Sequence, residues 1–216
     1  WLLSCGLLVG CASTPPPIDE PSAHPHTTTP TAQPGSAAAA AADSTSAGGA
    51  SPSSTTPAAF HFKSGTLEIG DFDPYALGDN LFDPCTEISP EEFAAAGFEN
   101  VEPIAEEYRG LNPGVSACFF ERETPLFGMS LSNSRANRTK IAEEREIPQS
   151  LKSGMLPSLF VYGTGITGDT DCFAQVDTLR GGVVASISSL PGSASFEEAC
   201  SLAISNLEEL FAISQI

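Results

Sequence analysis

Residues 12–59 cannot build a hydrophobic core, and that confines any fold to the chain beyond them. Of these 48 residues, 38 are Pro, Ala, Ser or Thr; none is aromatic, none is Lys or Arg, and Ile18 is the only large aliphatic side chain. So little apolar area cannot offset the entropy of ordering the chain. The six alanines Ala37–Ala42 fall short of the ~12–15 residues an isolated helix needs in water. Scattered prolines favour extended polyproline-like geometry. At ~3.1 Å per residue the segment reaches roughly 150 Å, and as a coil its ends average about 40 Å apart. A spacer is expected here, and a fold from Phe60 onward, in about 155 residues, the size of one domain.

The segment before the spacer supplies an address. Leu8-Val9-Gly10-Cys11 has the form of a bacterial lipobox: apolar, small apolar, Gly, Cys. The apolar run Trp1–Val9 reads as the end of a signal peptide (1–10) whose start lies upstream. Cleavage before Cys11 leaves a lipid-bearing Cys11 followed by Ala12-Ser13-Thr14-Pro15. The looser match Leu2-Leu3-Ser4-Cys5 would leave a Gly-Leu-Leu-Val start, which is less natural. Stable anchoring takes at least two acyl chains, palmitate-like in length, which a diacylglyceryl group provides. No other stretch approaches the ~18 apolar residues of a membrane span. The expectation is an anchored protein on the outer face of the cytoplasmic membrane, in the cell envelope, with residues 11–59 as tether. Thr27–Thr31 and Thr55-Thr56-Pro57 have the composition of O-glycosylation substrates and equally of a bare spacer. His24 and His26 would bind metal only adventitiously.

From Phe60 on there are nine Lys or Arg against 24 of the chain's 27 acids. Phosphate recognition needs a basic surface, so nucleic acid is excluded as a partner. The acidity reads first as a solvated, colloidally stable exterior, and second as a surface for cations or basic partners.

Four cysteines lie in this part: Cys85, Cys118, Cys172 and Cys200. In an exported domain an even set reads as two disulfides, and the paired C-x2-C spacing of zinc sites is absent. Ser89-Pro90-Glu91-Glu92 is a capping box that opens a short helix ended by Gly97, and Ser195-Phe196-Glu197-Glu198 opens a long amphipathic one. Strands are expected over 115–121, 126–133, 159–162, 172–178 and 183–188, and a short helix over 138–146. The fold class is therefore α+β: about five mostly antiparallel strands with helices packed on one face, occupying 85–216. Residues 60–84 form an extended aromatic-rich lead-in laid over the core. Cys172 shares a strand face with Ala174 and Val176, and Cys200 sits on the apolar face of the last helix. If that helix covers that face the two meet, which leaves Cys85 to pair with Cys118.

Motifs that carry chemistry are sparse. Gly163–Gly168 fits G-x-G-x-x-G, but Asp169-Thr170-Asp171 comes next, where a dinucleotide site needs a helix N-terminus, so a hairpin loop is the better reading. His61 is the only histidine beyond the tether, and no G-x-S-x-G accompanies it. Asp71/Asp73 and Asp169/Asp171 lack the rest of a calcium loop. No cofactor or metal is expected, and no catalytic residue can be nominated.

Phe82-Asp83-Pro84-Cys85, the capped helix ending at Gly97, the Cys118 strand, Cys172 and the helix with Glu198-Ala199-Cys200 come in an order that resembles the actinobacterial secreted lipoprotein family known as domain of unknown function 3558, over about residues 80–213. The resemblance implies a lipid-anchored envelope protein of corynebacterial or mycobacterial type and brings no catalytic residues. Family strands often carry Trp after the cysteine, where this chain has Phe119-Phe120. The expected function is a non-catalytic binding or assembly module, with an envelope protein or wall glycan as partner. A small wall-active hydrolase using paired carboxylates is the alternative.

Overall fold

The computed structural model describes residues 58–109, 114–122, 127–166, 170–190 and 192–216. Cys11, the run before it and the tether through residue 57 lie outside the described residues, as do residues 167–169 of the glycine-rich loop.

Eight strands and five helices are found among the described residues. In chain order they are β1 (Ala59–Phe62), β2 (Gly65–Glu68), α1 (Pro84–Glu87), α2 (Pro90–Ala95), β3 (Glu99–Pro103), α3 (Glu106–Arg109), β4 (Ala117–Glu121), β5 (Phe127–Ser134), α4 (Arg138–Glu144), β6 (Phe160–Gly163), β7 (Cys172–Thr178), β8 (Gly181–Ser189) and α5 (Phe196–Ile213). β1 and β2 form a hairpin; the other six make one sheet in the order β3-β4-β5-β8-β7-β6. Every pairing is antiparallel. The class is α+β, with three more strands than the five expected.

The sheet's register explains its core. Cys118 pairs with Leu131, Leu131 with Ala185, Ala185 with Ala174, and Ala174 with Val161. That is one row across five strands, and all five side chains are fully buried. Because strand side chains alternate between faces, the next row on the same face, Phe120, Met129, Ile187 and Cys172, is buried as well. Helix α5 covers these rows with Ala199, Cys200, Ala203, Leu207 and Leu210, each fully buried. Alanines on both sides bring helix and sheet close, and Cys172 and Cys200 are joined in a disulfide with their Cα atoms 5.1 Å apart.

The other face departs from expectation. Gln175 and Asp177 point away from the cysteine row of β7, and α4 and the turn leading into it bond to them: Arg138 N–H donates to Asp177 Oδ2 at 2.8 Å, and Gln175 Nε2 donates to the Ala136 carbonyl at 2.8 Å. The Arg138 guanidinium lies over the Phe160 ring. Helices are therefore not confined to one face. Only Ile141 of α4 is buried, so its seven residues carry too little periodicity to reveal which face they cover.

The aromatic lead-in is the β1–β2 hairpin and the loop after it. Phe60 packs edge-on against Phe211 of α5, with centroids 5.4 Å apart, and Phe62 stacks on Phe82 at 5.6 Å. Both belong to the main core. Both capping boxes are in place, at Ser89 and Ser195. Gly97 ends α2 with φ +75°, and Phe98 N–H donates back to the Phe93 carbonyl at 2.9 Å, the closure a left-handed glycine cap makes. Gly181 opens β8 with φ +93°, and a Cβ there would sit 2.9 Å from the Ser134 carbonyl oxygen.

Candidate functional site

The motif Phe82-Asp83-Pro84-Cys85 is held by a polar frame at the start of α1. Asp83 is the N-cap: its Oδ1 accepts the Cys85 N–H at 2.9 Å, and Pro84 fills the first helical position, where no N–H is missed. Asp83 Oδ1 also accepts the Ser116 hydroxyl. From the far end of α1, Glu87 accepts the Asp83 N–H at 2.9 Å and takes both guanidinium nitrogens of Arg180, at 2.6 and 2.8 Å. A bidentate, half-buried pair of this kind fixes orientation as well as charge. Arg180 lies in the β7–β8 turn, so a contact spanning roughly a hundred residues places α1 against the sheet.

Cys85 is thereby set over β4. Its Sγ lies 3.3 Å from Ser116 Oγ. Cys118, fully buried in the core row, is hydrogen-bonded to the Cys85 sulfur. That bond and burial push the Cys118 thiol far above its ordinary value. The two sulfurs meet as the sequence anticipates, but as thiols. Among the described residues there is one disulfide, Cys172–Cys200, not two. The reason is local. Cys172 and Cys200 face each other across a fully buried helix–sheet contact, whereas Cys85 sits on a capping turn whose position is set by Asp83, Ser116 and Glu87.

Two clefts meet at this turn. The first, about 480 Å³, is lined by polar groups that include Asp79, Asp83, Ser116, Asn133 and Arg135. The second, about 690 Å³, runs between α1–α2 and β3 and is largely apolar, with Ile88, Phe93, Phe98 and Val101. Cys85 and Thr86 line both. Asn133 supports the polar side: its Nδ2 donates to the Phe82 carbonyl at 2.9 Å, and its Oδ1 accepts the Ser116 N–H at 2.9 Å. β3 is the edge of the six-stranded sheet, paired only with β4.

Among the cysteines anticipated as site residues, Cys85 is thus brought to the clefts, Cys118 lies beneath it in the core row, and Cys172 and Cys200 lie in the core. Ser116 and Asn133 belong to the site without any sequence signal; Asp83 carried one, as the polar residue before Pro. His61 stands on the exposed side of the β1–β2 hairpin with its Nδ1 3.2 Å from Thr66 Oγ1, and it lines neither cleft. Among the described residues no three His, Cys, Asp or Glu side chains group as metal ligands, and no helix is long and apolar enough to cross a membrane. The arrangement can seat a molecule with a polar and an apolar part, beside one reachable thiol.

No curated protein and no solved structure matches the chain. One family does, over residues 6–212. That span takes in almost all of the 216 residues, so the chain belongs to the family described as Protein of unknown function (DUF3558).

Proposed function

We propose that this chain is a lipid-anchored protein of the cell envelope whose folded part is a non-catalytic binding module, held off the membrane by the Pro/Ala/Ser/Thr tether. The observation that carries the reading is the pair of clefts meeting at Cys85, one polar and one apolar, of about 480 and 690 Å³. These are the dimensions and the mixed lining of small-molecule sites. The carboxylate nearest the seam, Asp83, already accepts two hydrogen bonds as cap and Ser116 partner, which argues for a structural carboxylate over an acid–base one. Export would also bring the Cys85–Cys118 thiols to disulfide oxidants, and closing that bridge would tie α1 to β4 along the seam.

The test is a native mass-spectrometric screen of the full chain against envelope lipids and wall oligosaccharides, run beside Val101→Trp, which fills the apolar cleft. A ligand retained intact by the parent chain and lost from the variant supports the reading. A ligand converted to product, with turnover abolished by replacing two neighbouring carboxylates, would overturn it in favour of a hydrolase. For the anchor, an alkyne-tagged fatty acid should label the protein in a lipoprotein-processing host, and Cys11→Ser should lose the label.

A further inference from the structure

The scarce positive charge of this chain is not spread evenly. Only nine residues are Lys or Arg, and four of them (Arg135, Arg138, Lys140 and Arg145) fall within eleven residues. Three of the four line one cleft of about 530 Å³ on the α4 side of the molecule, with Tyr75, Tyr162 and the single carboxylate Glu144. Acids outnumber bases three to one, so a guanidinium left without a carboxylate is unexpected here. Yet among the described residues neither Arg135 nor Arg145 is in an ion pair. Arg135 Nη1 donates to the Gly78 carbonyl at 3.1 Å, and Arg145 Nη1 to the Glu144 carbonyl at 3.2 Å; among the described residues neither fork has a side-chain partner. Lys140 is partly satisfied, by Glu143 at 3.0 Å.

The aromatic groups complete the picture. Tyr75 is 85% exposed, the most exposed ring in the described chain. Its loop is held by a turn in which Tyr75 N–H donates to Asp73 Oδ1 at 2.9 Å, and Lys140 Nζ stands 6.0 Å from its centroid. Tyr162 is fixed by donating its hydroxyl to Gln175 Oε1 at 3.2 Å, and its ring stacks on Phe173 at 5.3 Å. An open ring beside guanidinium forks that have no carboxylate partner among the described residues is a surface for a flat, hydroxylated ring carrying an acid: the aromatic face takes the apolar side of the ring, and the fork takes two oxygens of a carboxylate or phosphate.

We infer that the cleft lined by Tyr75, Arg135, Lys140, Arg145 and Tyr162 binds a saccharide that bears an isolated acid group. A long polyanion is disfavoured, because the acidic remainder of the domain would repel charges beyond the cleft, whereas one acid at contact lies inside the ~8 Å screening length. This site is distinct from the clefts at Cys85, although Arg135 lies between them and lines both regions. The test therefore uses Tyr75 and Arg145, both exposed and absent from the lining of the Cys85 clefts.

Titration calorimetry of the full chain with a trisaccharide ending in glucuronic acid is compared with the glucose-ended trisaccharide, glucose 6-phosphate, inorganic phosphate and phosphatidylglycerol vesicles. The glucuronyl sugar should bind at least about tenfold more tightly than its neutral counterpart, since a charge-assisted bidentate contact is worth that much or more. Tyr75→Ala and Arg145→Gln should each weaken it about tenfold or more with an unchanged melting temperature, and Val101→Trp should leave it intact. Glucose 6-phosphate binding would extend the acid to phosphate; inorganic phosphate binding as tightly as either sugar would overturn the saccharide assignment. Equal affinity for acidic and neutral sugars, no sugar binding, binding to vesicles alone, or unchanged affinity in both variants would overturn the inference. Loss on Val101→Trp would move the ligand to the Cys85 clefts.

Discussion

Two helix–strand junctions of this molecule each bring two cysteines together, on the same sheet face, and they end in different chemistry. At α5 and β7 the partners are 28 residues apart and bonded. At α1 and β4 they are 33 apart in the chain and remain thiols. Around the first pair lie alanines, leucines and valines with no exposure. Around the second lie a capping aspartate, a serine hydroxyl and two clefts. The two pairs differ in what surrounds the sulfurs: apolar packing at one, a hydrogen-bonded polar frame at the other. At the polar frame the pair is found as thiols, and one of them, Cys85, lines both clefts.

The largest effect should separate the two junctions directly. Replacing Cys172 and Cys200 by Ala removes a cross-link closing a loop of about 29 residues, worth about 3–4 kcal/mol in the chain-entropy account, or roughly 10 °C of melting temperature for a domain this size. Replacing Cys85 and Cys118 should change it by far less. Equal losses from the two double variants would erase the distinction. A related effect, of opposite sign and smaller, comes from oxidation. With oxidised glutathione the half-exposed Cys85 forms the first mixed disulfide; Cys118 then displaces the glutathione thiol, so two protein thiols reduce one glutathione disulfide. Tryptic peptides Ser64–Arg109 and Gly110–Arg122 should then be found joined, as Ser153–Arg180 and Gly181–Ile216 are beforehand. The melting temperature should rise by a few degrees at most, because the cap must shift to close the bond. Failure of the first two peptides to join would mean that the frame holds the sulfurs out of bonding geometry.

The polar frame itself can be broken. Asn133 is buried and bonds two backbone groups, the Phe82 carbonyl and the Ser116 N–H. Asn133→Ala leaves both without that partner, at a cost of about 2 kcal/mol, the usual penalty for buried unsatisfied groups. Urea unfolding would measure the loss. Thiol labelling would locate it: Cys118 should begin to react under native conditions as the α1 turn loosens. A variant as stable as its parent, with Cys118 still silent, would show that the cap stands without Asn133.

Legibility in the sequence divides along the same line. β7 runs over Cys172–Thr178 as alternation implies, and α5 begins at its capping box, because both signals are local and periodic. The Cys172–Cys200 contact followed from them. β3 was invisible: Glu99-Asn100-Val101-Glu102-Pro103 has no apolar alternation, since an edge strand with a register shift and Asn100 at φ +50° buries almost nothing. The β1–β2 hairpin was hidden by its brevity, four residues a side around Lys63-Ser64. Ser116 and Asn133 could not be nominated, because their roles depend on partners 33 and 51 residues away. The adjacency of Cys85 and Cys118 is readable by elimination; that they are found as thiols is not.

The smallest effect concerns the back of the disulfide-bearing strand. Asp177 is two residues from Gln175 and buried, and burial pushes its carboxyl above the ordinary 3.8 although the Arg138 N–H and Gln175 amide bonds pull the other way. A carboxyl whose folded value is raised binds its proton more tightly in the native state. Its contribution is therefore complete below the unfolded value and is lost as pH rises from there through the raised folded value. This is opposite in sign to the capping carboxylates Glu92 and Glu198, whose folded values are lowered, so it must be isolated by difference. Asp177→Asn cannot ionise, but it turns an amide N–H₂ toward one of two donors and should start out less stable at pH 3. Its deficit relative to the parent should then shrink across that window and become constant above it. Urea midpoints of both proteins at half-unit steps from pH 3 to 7 would trace this. A deficit that stays flat would mean that the charged carboxylate is as well held behind β7 as in the unfolded chain, with the two backbone and amide donors fully compensating the lost water.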